Sequence, residues 1–378
     1  MTKTVTKKIC SIIDSTLREG EQTPGIRLTD DHRRNIIAHL HEVGVDEIEL
    51  GIAASPADNH LPQLVADARS ITQASCRLGL WCRCIEKDID FAGSCRPDVL
   101  SLSIPVSDLH ITERLKKNRD WVKKIMVGSI RQGLALDIPF ISVGLEDASR
   151  ADPDFLLQVA RLAEENGAGR IRLADTVGIC SPGTVRELVR PLQQSLQIDI
   201  GVHCHNDFGM ATANSIAALE AGASWFDATV LGLGERAGNC RLEEAVGYLT
   251  FVLEQQQYHP EFLPQLCRYV SSVTESPIHR NHPLVGDDIF TCETGLHQHG
   301  LAVNPATYEP YEPGQVGCRR KLRFGHKTGT RAINLQLAKR GLRFDDMQVR
   351  LLARRIRSSG QTLSEEQLVR YVTGTTRP

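Results

Sequence analysis

Short apolar runs and longer amphipathic segments take turns along the first two thirds of the chain. Runs at 9–14, 47–51, 77–82, 98–103, 140–145, 170–175, 199–205 and 225–230 are short and rich in Ile, Leu and Val. That is the signature of strands buried on both faces of a parallel sheet. Between them, segments near 29–43, 60–73, 86–94, 112–136, 153–167, 181–196, 209–222 and 239–255 repeat their apolar positions at helical spacing. Thr29 before Asp30-Asp31, Asp152 before Pro153 and Ser181 before Pro182 are helix starts, and Gly44, Gly167 and Gly222 are stops.

Eight strand–helix alternations predict an α/β protein of the (β/α)8 TIM-barrel class. An open doubly wound sheet is the alternative. The residues with reactive side chains decide between them. Asp14 to Gln22, Glu146-Asp147, Asp175-Thr176, His203/His205 and Gly232 to Asn239 all follow the C-terminal ends of different strands. A barrel gathers those ends around one mouth, whereas an open sheet spreads them along a line. Beyond residue 257 the alternation stops. Pro260, Pro264, Pro277, Pro283, Pro305, Pro310 and Pro313 interrupt the chain, and helical periodicity returns at 327–341 and 345–372. The expectation is a barrel over 1–257 and a smaller, mainly helical region over 258–378. The Arg350 to Arg357 run reads as a solvated helix face or a subunit contact.

Composition narrows the setting. In 378 residues the net charge is −2, with no long basic run, so nothing calls for nucleic acid or a membrane surface. No apolar run approaches a membrane span, and none follows the N-terminal lysines as a leader would. Eleven cysteines sit mostly inside apolar runs, as buried thiols of a cytoplasmic protein do. Cys82-x-Cys84 has no second pair to complete a metal site.

The chemistry concentrates in two places. In a strand, His203 and His205 point the same way, roughly 6.7 Å apart along the backbone. Two imidazoles and a carboxylate such as Glu19 make a divalent-metal site with open positions, suited to Mg2+, Mn2+, Zn2+ or Co2+, and Asn239 is a possible fourth ligand. Two histidines hydrogen-bonded in a core are the plainer alternative. Arg18 adjoins Glu19 and can steady an oxyanion or a carboxylate, or form a structural salt bridge. Gln22 offers its amide to the same oxygen. Glu146 and Thr176 follow strands five and six. Arg172 either joins Thr176 on a carboxylate or pairs with Asp175. The glycine-rich loop Gly232-Leu-Gly234-Glu-Arg-Ala-Gly238-Asn239 lets backbone N–H groups approach an anion, and it follows strand eight, where barrels often hold phosphate. In the second region, Glu293-Thr-Gly-Leu-His297-Gln-His299 is dense in groups that exchange protons, or holds merely surface histidines.

Taken together, Asp14-Ser-Thr-Leu-Arg-Glu-Gly-Glu-Gln22, Ala174-Asp-Thr-Val-Gly178, His203-Cys-His-Asn-Asp207, Gly232 to Asn239 and Thr294-Gly-Leu-His-Gln298 closely resemble the homocitrate/isopropylmalate synthase family, over roughly residues 9–340. The resemblance implies a (β/α)8 barrel that condenses acetyl-CoA with a 2-oxo acid on a divalent metal. It assigns Glu19, His203 and His205 to the metal, Arg18 and Gln22 to the oxo acid, and Thr176 to its carboxylate. It gives His297 proton transfer from the neighbouring subunit, hence a homodimer. Many members carry Asp at the place of Glu19, and Glu is familiar among homocitrate synthases. Ser142 to Ala151 and Ser103 to His110 resemble the homocitrate synthases of nitrogen-fixing bacteria. The implied activity is homocitrate synthase, with 2-isopropylmalate, citramalate, Re-type citrate or phosphonomethylmalate synthase as alternatives. Two departures bear on subtype: Gly51-Ile-Ala-Ala-Ser-Pro after strand two, and Gly325-His-Lys-Thr-Gly. From other classes, a non-haem Fe(II) oxygenase would consume oxygen and release succinate, and an oxo-acid sensor would bind without releasing CoA.

Overall fold

The computed structural model describes residues 10–54 and 60–374. Ile9, the expected start of the first strand, and Ser55-Pro56 lie outside the described residues. Eight parallel strands close a barrel in chain order. They are β1 (Ser11–Asp14), β2 (Glu47–Ile52), β3 (Arg77–Arg83), β4 (Val99–Pro105), β5 (Phe140–Glu146), β6 (Arg170–Asp175), β7 (Asp199–Cys204) and β8 (Trp225–Ala228). Closure is made by β1, which pairs with β2 through Ile13 and Glu47 and with β8 through Asp14 and Ala228.

A helix follows each strand: α1 (Asp30–Val43), α2 (Leu61–Ile71), α3 (Glu86–Ser94), α4 (Arg119–Ala135), α5 (Pro153–Glu165), α6 (Pro182–Ser195), α7 (Ala211–Ala221) and α8 (Leu242–Phe251). Their starts have the chemistry read from the sequence. Thr29 accepts from His32 N, Asp152 from Phe155 N and Ser181 from Thr184 N. Gly44 and Gly222 end α1 and α7 in the left-handed conformation. The buried stripe of α1 is Ile36, Ile37, Leu40 and Val43, at the spacing a barrel-facing helix requires. The fourth helical segment is not continuous as expected. A π-helical turn at His110–Arg114 precedes α4, whose own start is capped by Asn118 on Trp121 N. No helix among the described residues is long and apolar enough to cross a membrane.

The chain divides into two compact units: the described residues to 259 with 265–277, and 260–264 with 278 onward. Most of α9 (Leu263–Thr274) therefore goes with the barrel, where Leu266, Cys267 and Val270 are buried and Cys267 Sγ lies 3.9 Å from Glu243 Oε2. In the second unit, β9 (Thr291–Cys292), β10 (Lys321–Phe324) and β11 (Leu363–Ser364) form a small sheet in the order β11-β10-β9. Around it stand α10 (Gly295–Val303), α11 (Thr330–Lys339), α12 (Asp346–Ser358) and α13 (Glu365–Thr373). Phe324, Ile333, Leu337, Val349, Ile356 and Leu368 make its core. The helix expected over 345–372 is broken. Gly360 takes φ 69°, and Leu363–Ser364 pairs with Arg323–Phe324, so strand pairing interrupts the helical period.

Candidate metal centre

The strand ends of the barrel bring Glu19, His203 and His205 together. One ligand atom from each lies within 4.8 Å of the others, and all three residues are buried. Among the described residues this is the one group of three or more His, Cys, Asp or Glu so disposed. The histidines project from the end of β7, with ring centroids 4.9 Å apart and planes nearly perpendicular. Glu19 arrives from the tight turn after β1, where Arg18, Glu19 and Gly20 all donate backbone N–H bonds to Ser15 O.

Each imidazole is oriented by a partner behind it. His203 Nδ1 is 2.7 Å from Asp227 Oδ2, and His205 Nδ1 is 3.2 Å from the Asp175 carbonyl. Both partners are acceptors, so each Nδ1 carries the proton and each Nε2 keeps its lone pair. Those lone pairs face another acceptor: His205 Nε2 is 3.4 Å from Glu19 Oε1, and His203 Nε2 is 3.9 Å from Glu19 Oε2. Three acceptors turned toward one point fit a cation. Burial pushes the Glu19 carboxyl up, but the Arg18 guanidinium beside it outweighs that and holds it well below the carboxylate range. Burial, against the pull of Asp227, also keeps His203 below its ordinary value, in the neutral form a metal needs. The donor set fits a divalent ion with nitrogen and oxygen ligands.

Asn239 stands beside this group. Its Nδ2 donates to Leu233 O at 3.0 Å, while its buried Oδ1 has no hydrogen-bond partner among the described residues. The glycine loop exists to let it in. A Cβ added to Gly234, at φ 153°, would lie 2.0 Å from Asn239 Nδ2 and 3.4 Å from Glu19 Cγ. Gly234 also exchanges two hydrogen bonds with the Thr23 hydroxyl, which ties the loop after β8 to the loop after β1.

Arg18 is only 6% exposed and reaches both Glu19 and Glu49, with Nε 2.6 Å from Glu49 Oε2. Its guanidinium also lies 5.8 Å from the Trp81 ring, and its Nη2 has no hydrogen-bond partner among the described residues. One buried donor is left for an incoming oxygen. Gln22, on the turn Gly20–Gln22, is half-buried, with no side-chain hydrogen bond among the described residues. Thr176 accepts from Asp147 N at 2.8 Å, which leaves its own hydroxyl hydrogen to give. Glu146 is engaged by Ser103 and Arg114 and lines a cavity of about 320 Å3 with Trp81, Arg83, Ile85 and Trp121. Arg172 does not pair with Asp175. It lies 2.9 Å from Glu49 and 3.0 Å from Asp227, because it points into the barrel while Asp175 accepts from Ile179 N and Cys180 N.

Glu293 and His297 belong to the second unit and line one cavity of about 200 Å3. They do not pair. Glu293 accepts from Lys327 N, whereas His297 Nδ1 is 3.2 Å from Thr294 Oγ1 and its ring centroid 4.3 Å from that of Tyr308. Tyr308, Asp227 and Glu49 were not singled out in the sequence. Glu47-Ile-Glu49 and Arg170-Ile-Arg172 did carry a signal, since charges at alternate positions of a buried strand demand partners inside the barrel. Cys82 is buried and Cys84 half-buried; burial pushes the Cys84 thiol up to about 12 and holds Cys82 higher still, so neither is ready to bind metal.

Comparison with known proteins agrees with this architecture. Residues 10–269 match the family described as HMGL-like, and residues 284–363 the one described as homocitrate synthase post-HMGL domain-like. A 2-isopropylmalate synthase of Caldanaerobacter subterraneus subsp. tengcongensis is 36% identical, over 92% of this chain and 89% of its own. A homocitrate synthase of Frankia alni is 37% identical, over 87% and 93%. A putative (R)-citramalate synthase of Methanosarcina mazei is 38% identical, over 91% and 71%. Among solved structures, an HMG-CoA lyase of Bacillus subtilis superposes with TM-score 0.65 at 17% identity, over 72% of this chain and 95% of that one, a likeness of fold.

Proposed function

This chain belongs to the homocitrate/isopropylmalate synthase family, and from that premise we propose that it joins acetyl-CoA to 2-oxoglutarate and hydrolyses the product thioester to homocitrate and CoA. The family is one of synthases that condense acetyl-CoA with 2-oxo acids. The observation that carries the reading is the unpartnered Arg18 Nη2 beside three convergent acceptors. An anion donor and a cation site, side by side and buried, suit a substrate with adjacent keto and carboxylate oxygens.

Glu19, His203 and His205, with Asn239 Oδ1, would hold a divalent ion, Mg2+, Mn2+, Zn2+ or Co2+, which when bound supplies Lewis acidity and a template for those oxygens. Arg18 and the Gln22 amide hydrogen-bond the oxo-acid oxygen as negative charge grows there, and the Thr176 hydroxyl holds the carboxylate. A proton leaves the acetyl methyl group, and its electron pair forms the bond to the oxo carbon. His297, backed by Tyr308, is the proposed proton carrier. Its unit would act on a partner's barrel in a homodimer. Water then cleaves the thioester, and CoA leaves as the thiol. Eleven free cysteines support a cytoplasmic setting.

The cavity beside Trp81 favours two oxo acids for different reasons. Arg83 and Arg114 on its lining put cations there for a second carboxylate, as in 2-oxoglutarate, each by exchange for its present partner, Asp88 or Glu146. Ile85, Ile104, Leu115 and Trp121 support a branched aliphatic group, as in 2-oxoisovalerate. Thiol release from acetyl-CoA with Mg2+ or Mn2+ tests this across 2-oxoglutarate, 2-oxoisovalerate, pyruvate and oxaloacetate. Selective release with 2-oxoglutarate is the expected result. Selectivity for another acid moves the subtype, and silence with all four in folded, metal-loaded protein overturns the reading.

A further inference from the structure

We infer that Arg172 is a positioning residue that sets a metal ligand and the substrate arginine together, through two carboxylates that share its guanidinium. Its single Nη1 lies 2.9 Å from Glu49 Oε1 and 3.0 Å from Asp227 Oδ2. Each carboxylate has a second task. Glu49 Oε2 accepts from Arg18 Nε at 2.6 Å, and Asp227 Oδ2 accepts from His203 Nδ1 at 2.7 Å. The chain of atoms therefore runs from Arg18 through Glu49, Arg172 and Asp227 to His203. All five residues are at least nine-tenths buried.

Charge explains why the bridge must be cationic. The network holds two guanidinium groups, Arg18 and Arg172, against the carboxylates of Glu19, Glu49 and Asp227. It is short of one positive charge with neutral histidines, and a divalent ion would leave it in excess by one, ready for an anion. Without Arg172, Glu49 and Asp227 would both lose a partner in a buried space, and each would draw on Arg18 or His203 to compensate. Arg18 already lies 3.9 Å from Asp227, so the alternative pairing is close at hand. Arg172 keeps Arg18 on Glu49 and leaves Asp227 to His203.

A neighbouring pair separates this role from ordinary barrel packing. Arg170, two residues earlier on β6, is equally buried and makes two bonds to Glu47, two residues earlier on β2, but no bond to Arg18, Asp227 or a histidine. The two arginines share strand, burial and partner type. Only one touches the site.

The inference rests on Glu19, His203 and His205 as cation ligands, and its test reads metal binding apart from turnover. In Arg172→Lys, the ammonium keeps the charge but ends one bond short of the Nη1 position, so it cannot reach both carboxylates as the guanidinium does. The expected result is Mn2+ or Co2+ affinity weaker by roughly 10- to 100-fold, the usual scale for losing a residue that orients a metal ligand. The Co2+ visible band should change shape, and KM for the oxo acid should rise with KM for acetyl-CoA held. Arg170→Lys should lower the melting temperature and leave metal affinity alone. Metal affinity and oxo-acid KM equal to wild type in folded Arg172→Lys overturn the inference. Should that variant not fold, Asp227→Asn and Glu49→Gln take its place. Each should disturb both readouts if Arg172 couples them, and effects confined to metal for the first and oxo acid for the second overturn the coupling. Absence of turnover with every oxo acid, together with the metal effect, would remove the homocitrate reading and leave this one standing.

Discussion

Arg170 and Glu47, 123 residues apart in the chain, meet across the barrel interior through hydrogen bonds of 2.7 and 3.0 Å, with neither side chain exposed. Arg170 also packs its guanidinium over Trp225 and Phe140, at 4.6 and 5.4 Å from the ring centroids. One layer above, Arg172 and Glu49 repeat the pairing beside the metal centre. A charge pair thus forms a structural rung under a chemical one.

Glu47→Gln strands a buried guanidinium, and we expect it to cost about 3–5 kcal/mol in urea unfolding. Replacing both partners by Met or Leu should recover much of that loss, since the desolvation cost disappears with the charges. A double variant as unstable as the single one would mean that the pair, not the stranded charge, carries the stability.

Divalent metal should stabilise the protein. At a hundred times its Kd, a ligand specific for the folded state adds about 2.7 kcal/mol, which a thermal scan with Mn2+ after chelator treatment will register. In His203→Ala the fold should persist, shown by an unchanged far-ultraviolet spectrum, while the metal-induced shift and turnover both vanish. Undiminished activity there would sink the ligand assignment.

Asp14, fully buried at the end of β1, has its carboxyl pushed up to about 7, burial outweighing the two hydrogen bonds from Thr16. Its unfolded value is near 3.8. Between those values the folded state binds more protons than the unfolded one, so this group's contribution to stability falls as pH rises from about 4 to 7 and is level on either side. Unfolding free energies of wild type and Asp14→Asn from pH 4 to 8 should diverge in favour of the variant, by up to about 4 kcal/mol. Parallel curves would show that Asp14 ionises normally.

Gly234→Ala should be costly for one methyl group. The added carbon meets Asn239 Nδ2 at 2.0 Å, at a φ that side chains rarely adopt. Expected are a loss of about 1–3 kcal/mol and weaker metal binding as Asn239 is displaced. Wild-type metal affinity in this variant would take Asn239 out of the ligand set.

Tyr308→Ala, which removes the ring packed 4.3 Å from that of His297, should lower kcat by about 100-fold, the scale of losing the proton-transfer group it positions, and leave metal affinity untouched. His297→Gln should do likewise. Turnover at wild-type rates in both variants would place the proton carrier elsewhere.

Much of this protein could be read along the chain. Alternating apolar runs and caps such as Thr29 and Ser181 yield eight strand–helix units because those signals are local, each decided within one turn of helix or one strand. The π-turn at 110–114 and the break at Gly360 escaped because Glu146 grips Arg114 and β10 pairs with β11, and both partners are distant in sequence. His203-Cys-His205 announced paired imidazoles because a strand's period of two puts them on one side. The role of Arg172 was not legible, since neighbours in sequence offered Asp175 as readily.

Local periodicity, capping chemistry and residue type are thus enough for the barrel's elements and for the kinds of group at its mouth. Which carboxylate holds which cation is settled only when β1 and β8 close the ring. Closure puts β2 opposite β6 and β8 beside β7, so that Glu49 meets Arg172 and Asp227 meets His203. Coulomb attraction and the desolvation of buried charge act through space, and separations in space follow from closure rather than from spacing along the chain.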